Sequence, residues 1–185
     1  MNFLAAFIPI FSAVDHLYIP LLFPISILPK PFIMTSIKLA EYLFTRLRQL
    51  GVGSIHGVPG DFNLHLLDYV QPSGLRWVGN TNELNAAYAA DGYARIKGLG
   101  AVITTFGVGE LSAINAIAGA YAEFAPVVPI VGIPSRDTQD NRTLIHHTFN
   151  AGEFRRFAAM HSHVTLAQAR LDDPRTRAEH IDETL

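Results

Sequence analysis

The chain has no cysteine among its 185 residues. That excludes a disulfide-stapled scaffold, a cysteine-ligated zinc centre and a thiol nucleophile. Charge is sparse as well: Asp, Glu, Lys and Arg together make up 16%, where roughly a quarter is usual for soluble domains. Neither sign dominates. Fourteen basic against sixteen acidic side chains leave a net charge of −2, so no broad basic surface faces a phosphate backbone, and a nucleic-acid partner is not expected. An apolar run long enough to cross a bilayer, roughly 18 residues, is also lacking. The longest runs cover 3–14 and 17–29 and are split by Asp15 and His16, so no membrane partner is expected either. What remains is a chain that is 49% hydrophobic. It is too apolar for a disordered protein and too poor in charge for a coiled coil, with a length that fits one domain and an appendage.

The composition is uneven. Residues 1–33 carry only two charged side chains, Asp15 and Lys30, and are broken by Pro9, Pro20, Pro24, Pro29 and Pro31. A signal peptide over 3–14 is disfavoured, because the basic start is missing and more apolar residues and prolines follow. Residues 1–33 are therefore expected to form a leader outside the domain. Met34 is read as the working start, and residues 34–185 as the domain.

From Ser36 onward helix and strand patterns alternate. Leu39, Tyr42, Leu43, Leu47 and Leu50 recur at helical spacing and end at Gly51. Strands are expected at 54–56, 75–78, 101–106 and 126–133. Helices are expected at 62–70, 82–96, 111–123, 154–160 and 176–185, with a polar loop at 134–141 and an extended stretch at 163–166. The runs AVITTF and VVPIVGI lack alternation, as strands covered on both faces do. The pattern predicts an α/β fold, a parallel sheet with helices on both faces. Ligands of such sheets sit at the carboxyl ends of the strands, which directs attention to the loops around 57–61, 80–83, 106–110 and 134–147.

Several residues in those loops bear chemistry. Asp61 follows Gly57-Val58-Pro59-Gly60 and stands where it could cap the next helix. Phe106-Gly107-Val108-Gly109 supplies only half of a dinucleotide fingerprint, since Ser112 replaces the third glycine, and a nucleotide-binding module is the weakest reading. Glu83 opens an Ala-rich helix at the ligand edge, either as a carboxylate favoured by the helix dipole or as a proton-trading group for a bound heterocycle. His146 and His147 are adjacent, and adjacent side chains diverge on a helix or strand. Joint metal chelation is therefore awkward and proton shuttling suits them better. His161 and His163 could share a strand face, with no third ligand in sight.

Four segments, read together, resemble a known family. They are Gly57-Val-Pro-Gly-Asp-Phe-Asn-Leu64, Asn82-Glu-Leu-Asn-Ala-Ala-Tyr-Ala-Ala-Asp-Gly-Tyr-Ala-Arg95, Thr104-Thr-Phe-Gly-Val-Gly-Glu-Leu-Ser112 and His146-His-Thr148. They are similar to the thiamine-diphosphate-dependent 2-oxo acid decarboxylases, the fungal enzymes above all. The likeness runs from about Thr35 almost to the end and leaves residues 1–33 without a counterpart. It implies the amino-terminal domain that binds the cofactor's aminopyrimidine ring. Glu83 would hydrogen-bond the ring nitrogen opposite the amino group, a role that asks for a buried glutamate of raised proton affinity. Asp61, His146 and His147 would line the substrate side and handle protons as aldehyde leaves. Pro59 and Val108 would offer backbone contacts around the pyrimidine. The implied reaction is the non-oxidative decarboxylation of a 2-oxo acid, pyruvate being favoured, in a cytoplasmic homo-oligomer.

The same likeness implies thiamine diphosphate and Mg2+ as cofactors, but the Gly-Asp-Gly…Asn segment that holds Mg2+ and diphosphate in the family does not occur here. The Mg2+ ligands are therefore expected in a carboxy-terminal domain beyond this sequence. The domain itself is expected to be incomplete, ending before its last strand. The chain would supply the aminopyrimidine half of a site and be inactive alone. The alternative is a catalytically inactive remnant or partner-binding fragment.

Overall fold

In a computed structural model of the chain, the described residues are 6–11, 18–21 and 35–185, with 6–11, 18–21 and 35 described by their backbone. The elements run β1 (Ala6–Phe11), β2 (Tyr18–Leu21), β3 (Thr35–Lys38), α1 (Leu39–Gln49), β4 (Ser54–Gly57), α2 (Leu64–Leu67), β5 (Arg76–Gly79) and α3 (Glu83–Lys97). They continue with β6 (Gly100–Thr105), α4 (Val108–Ala122), β7 (Val127–Ile133), α5 (Arg136–Asp140), α6 (Arg156–His161), β8 (Ala167–Gln168) and α7 (Arg177–Thr184).

The main sheet has the order β5-β4-β6-β7-β1-β8, and every pairing in it is parallel. β2 and β3 form a separate antiparallel pair. The registers Gly57↔Gly79 and Thr105↔Gly132 bring the carboxyl ends of β4–β7 to one edge. The loops after these strands therefore share that edge, as expected of crossover connections.

Helices cover both faces because successive strand residues point to opposite sides. On β6, Ala101 and Ile103 enter a core with Leu43, Phe44 and Leu47 of α1 and Ile181 of α7. Val102, between them, enters a second core with α3 and α4. The first core is built from large side chains. Leu43, Phe44, Leu47, Ile55 and Ile103 are fully buried, each contributing roughly 1.5–3 kcal/mol of hydrophobic stabilisation. The second is built from small ones: Ala86, Ala87, Ala90 and Ala94 of α3 face Ala113, Ala116 and Ala120 of α4. With these small side chains in the seam, beside Ile117 of α4, the two helices pack together, and both begin at the ligand edge of the sheet.

The expected fold class is what the chain adopts, with local differences. The helix expected over 62–70 is reduced to α2, and its N-cap is Asn63, not Asp61. The Asn63 side chain turns back onto the preceding loop, accepting from the Gly60 N–H at 2.9 Å and donating to the Val58 carbonyl at 3.0 Å. This fixes the loop and leaves Asp61 free for another partner. The polar loop at 134–141 contains α5, begun by Ser135, whose hydroxyl accepts from the Thr138 N–H. The extended stretch expected at 163–166 lies further on, as β8. The leader is where structure and sequence reading part most. Residues 6–11 form β1 inside the sheet, in register with β7 through Ile8↔Ile130 to Phe11↔Ile133 and with β8 through Ala6↔Ala167. An apolar run free of charge can pair there, where β7 would otherwise present an unpaired row of backbone groups. Met34 lies outside the described residues.

Candidate active site

Glu83 is the first residue of α3, placed by Asn82, whose side chain accepts from the Leu84 N–H at 2.8 Å. Its carboxylate lies over the start of α4: a Cβ added at Gly109 would stand 3.0 Å from Glu83 Oε1 and 2.8 Å from Thr105 Cγ2. Only glycine lets the carboxylate settle against the backbone there. Two helix N-termini thus converge on one acidic side chain, an arrangement that favours negative charge. Glu83 is half-buried, not enclosed as the role implied by resemblance asks. The strand-to-helix turn beside it rests on Gly107, at φ 68° and ψ −105°. Val108, next in sequence, is left 58% exposed.

A second group forms on the same edge. Asp61 Oδ2 lies 2.5 Å from His146 Nε2. The His146 ring stacks on Phe62 at 5.2 Å between centroids, and the His147 ring meets the edges of both Phe62 at 5.9 Å and His146 at 4.6 Å. Phe62 is itself held edge-on by Phe106. Sequence reasoning expected the adjacent histidines to diverge. They converge because the loop is neither helix nor strand: His147 takes φ 61°, and Thr148 folds the turn by donating to the Ile145 carbonyl and accepting from the Asn150 N–H. The two groups touch at one point, since the His147 carbonyl packs where a Cβ of Gly107 would be.

A third pair escaped the sequence reading. Glu110 and His161 are each 1% exposed, with Glu110 Oε2 3.8 Å from His161 Nε2. The other carboxyl oxygen accepts from the Gly107 N–H at 2.8 Å, so Glu110 holds the turn from behind. Burial raises its pKa to about 8, opposed by the Gly107 hydrogen bond. Burial lowers that of His161 to about 4, opposed by a hydrogen bond with the Glu110 backbone. At neutral pH the two are glutamic acid and neutral imidazole, not an ion pair. The signal that could have found Glu110 is an acidic residue three places after a turn glycine, the spacing of a capping carboxylate.

The pair shapes stability against pH. Above 6.5 the unfolded chain has released the Glu110 proton that the folded chain keeps to about 8, so stability falls with rising pH, by ~1.4 kcal/mol per unit. Between about 4.5 and 6.5 the unfolded His161 takes up a proton that the folded one refuses, which cancels the slope. Below that window His161 makes acid destabilising. Glu110→Gln is expected to flatten the alkaline limb in urea unfolding at pH 6.5 and 8; an unchanged slope would mean that Glu110 is ionised in the fold.

Pro59 stands exposed in the loop before Asp61. His163 is exposed beyond the end of α6 while His161 is buried, so the two do not share a face.

The geometry can be set beside known proteins. Residues 37–154 match the family model described as thiamine pyrophosphate enzyme, N-terminal TPP binding domain. The chain belongs to this family. Over 150 residues it is 69% identical to a pyruvate decarboxylase of Aspergillus parasiticus, covering 81% of the chain and 26% of that relative. It is 56% identical over 149 residues to a pyruvate decarboxylase of Aspergillus fumigatus, covering 80% and 26%. With pyruvate decarboxylase isozyme 1 of Saccharomyces cerevisiae the identity is 52% over 153 residues, covering 82% and 27%. The chain spans about a quarter of the length of these curated relatives. All three groups described above fall within the matched region or, for His161, just beyond it. Among the described residues no helix is long and apolar enough to cross a membrane.

Proposed function

We propose that this TPP-enzyme chain provides the aminopyrimidine half of a site that removes CO2 from a 2-oxo acid. The names of its relatives favour pyruvate as the substrate, with a cytoplasmic homo-oligomer as the working assembly. The observation that carries the reading is the meeting, at one sheet edge, of Glu83 with the Gly107–Gly109 turn and of Asp61 with His146 and His147.

The residues fit an aminopyrimidine. A carboxylate, an exposed apolar Val108 and a side-chain-free Gly109 would hold a flat, half-polar ring. Glu83 would hold a proton at the ring nitrogen, and Val108 and Pro59 would bracket the ring. When bound, thiamine diphosphate supplies the electron sink that decarboxylation of a 2-oxo acid requires. Diphosphate and Mg2+ would be held by a Gly-Asp-Gly…Asn segment that these 185 residues do not contain. Asp61 and His146 share one short hydrogen bond along which a proton can pass, and His147, its ring edge-on to His146, would stand beside them toward the departing product. Phe62, stacked on His146 and edge-on to His147, fixes their orientation and keeps water from one side.

A chimera tests the reading. Residues 35–185 replace the corresponding segment of the Aspergillus parasiticus enzyme, and acetaldehyde release from pyruvate is followed with thiamine diphosphate and Mg2+. Turnover within about tenfold of the parent is expected. A folded, cofactor-loaded chimera without turnover overturns the reading, and a preference for phenylpyruvate over pyruvate would correct the substrate.

A further inference from the structure

We propose that Asp61, His146 and His147 form a binding site for a borderline transition-metal dication such as Zn2+, distinct from any Mg2+ site and inhibitory when filled. One ligand atom from each of the three lies within 4.8 Å of the others. A tetrahedral Zn2+ with bonds of roughly 2.0–2.1 Å spaces its ligands roughly 3.3 Å apart, so Asp61 and His146, now 2.5 Å apart, part slightly around the ion as the three side chains adjust to complete the set. His146 and Asp61 are 60% and 47% exposed and can move. The backbone supplies what adjacent histidines lack elsewhere, because His147 at φ 61° turns both rings to one side.

Two further observations point to a cation. His147 Nδ1 is enclosed and has no hydrogen-bond partner among the described residues. Asp61 stands opposite His146 at hydrogen-bond distance, and a dication would take the place of that hydrogen bond, with the imidazole in the tautomer that leaves its ligating nitrogen bare. Two imidazoles and one carboxylate leave the fourth position open, the pattern of accessible rather than structural zinc sites. The same donors select against Mg2+, which prefers oxygen ligands and keeps its waters. Inhibition follows from the proposed function and rests on it: a metal seated here ties up the groups that carry protons to product. Binding itself rests on geometry alone.

The test is calorimetric titration of the full chain, free of any histidine tag, with Zn2+ alone, repeated in excess Mg2+. One strong site per chain is expected, undisturbed by Mg2+. His146→Gln and His147→Ala should each weaken it by at least about tenfold. His163→Ala, an exposed histidine outside the cluster, should leave it unchanged. Circular dichroism checks that each variant is folded. Equal affinity in all variants, or no binding above background, overturns the site. Zn2+ inhibition of the active chimera over the concentration range that fills the site in the titration supports the inhibitory role, and full turnover with the site filled overturns it. An inactive chimera that still binds Zn2+ would overturn the proposed function and leave the site standing.

Discussion

Glu83→Gln lowers cofactor-dependent turnover of the chimera by about a thousandfold or more, within the range spanned by loss of a positioned acid–base group. Glutamine has the same shape, but it cannot give up and take back a proton. The surroundings make this a clean substitution. The side chain rests against Gly109 and is only half-buried, so the amide is accommodated and stability should shift by no more than ~0.5 kcal/mol. Two measurements separate chemistry from folding: deuterium exchange at the cofactor's thiazolium C2–H, expected to slow with turnover, and urea unfolding, expected to be unchanged. Exchange as fast as in the parent would remove Glu83 from the reaction.

Gly107→Ala acts on the opposite quantity. At φ 68° and ψ −105° an L-residue is strained by ~1–3 kcal/mol. The new methyl would also meet the His147 carbonyl, where overpacking adds ~1–3 kcal/mol. The melting temperature should fall by roughly 2–4 °C for each kcal/mol lost. Because Glu110 caps this turn from behind and cannot yield sideways in its buried site, relief must come from the loop carrying His147. The variant should therefore lose activity beyond its loss of stability. Gly119→Ala is the control: it lies mid-helix in α4 with open space around a new Cβ, and helix propensity predicts a gain of up to ~1 kcal/mol. Similar melting of both variants would show that Gly107 is not specifically required.

Much of the fold could be read in the chain because its signals are local. Runs such as AVITTF announce a doubly covered strand, and Asn82 and Gly98 bracket α3 with a side-chain cap and a left-handed stop. The ligand edge followed from the alternation of strand and helix, and Glu83 and Asp61 lie on it. What stayed hidden depends on distant partners. Asp61 reads as a cap until Asn63 is seen taking the loop's hydrogen bonds and His146, 85 residues on, takes the carboxylate. Periodicity assumes helix or strand and so cannot show that a left-handed His147 reverses the divergence of neighbouring rings. Glu110 and His161 carry no pattern linking them; only packing brings two ionisable groups into the same dry space. The leader's strand was missed for a similar reason, since β1 is defined by the vacancy beside β7 that it fills rather than by its own composition.

The alanine faces of α3 and α4 work as a spacer of fixed gauge. Ala90 and Ala116 touch no reacting group, yet as small side chains in the seam beside Ile117 they help set how far apart two rigid rods lie. Those rods end in Glu83 and in the Gly107–Gly109 turn. Close-packed interiors transmit displacement rather than absorb it, so a single methylene in that seam would be felt at the carboxylate. The tolerance of the site is thus written along the length of two helices, in residues whose whole contribution is their smallness.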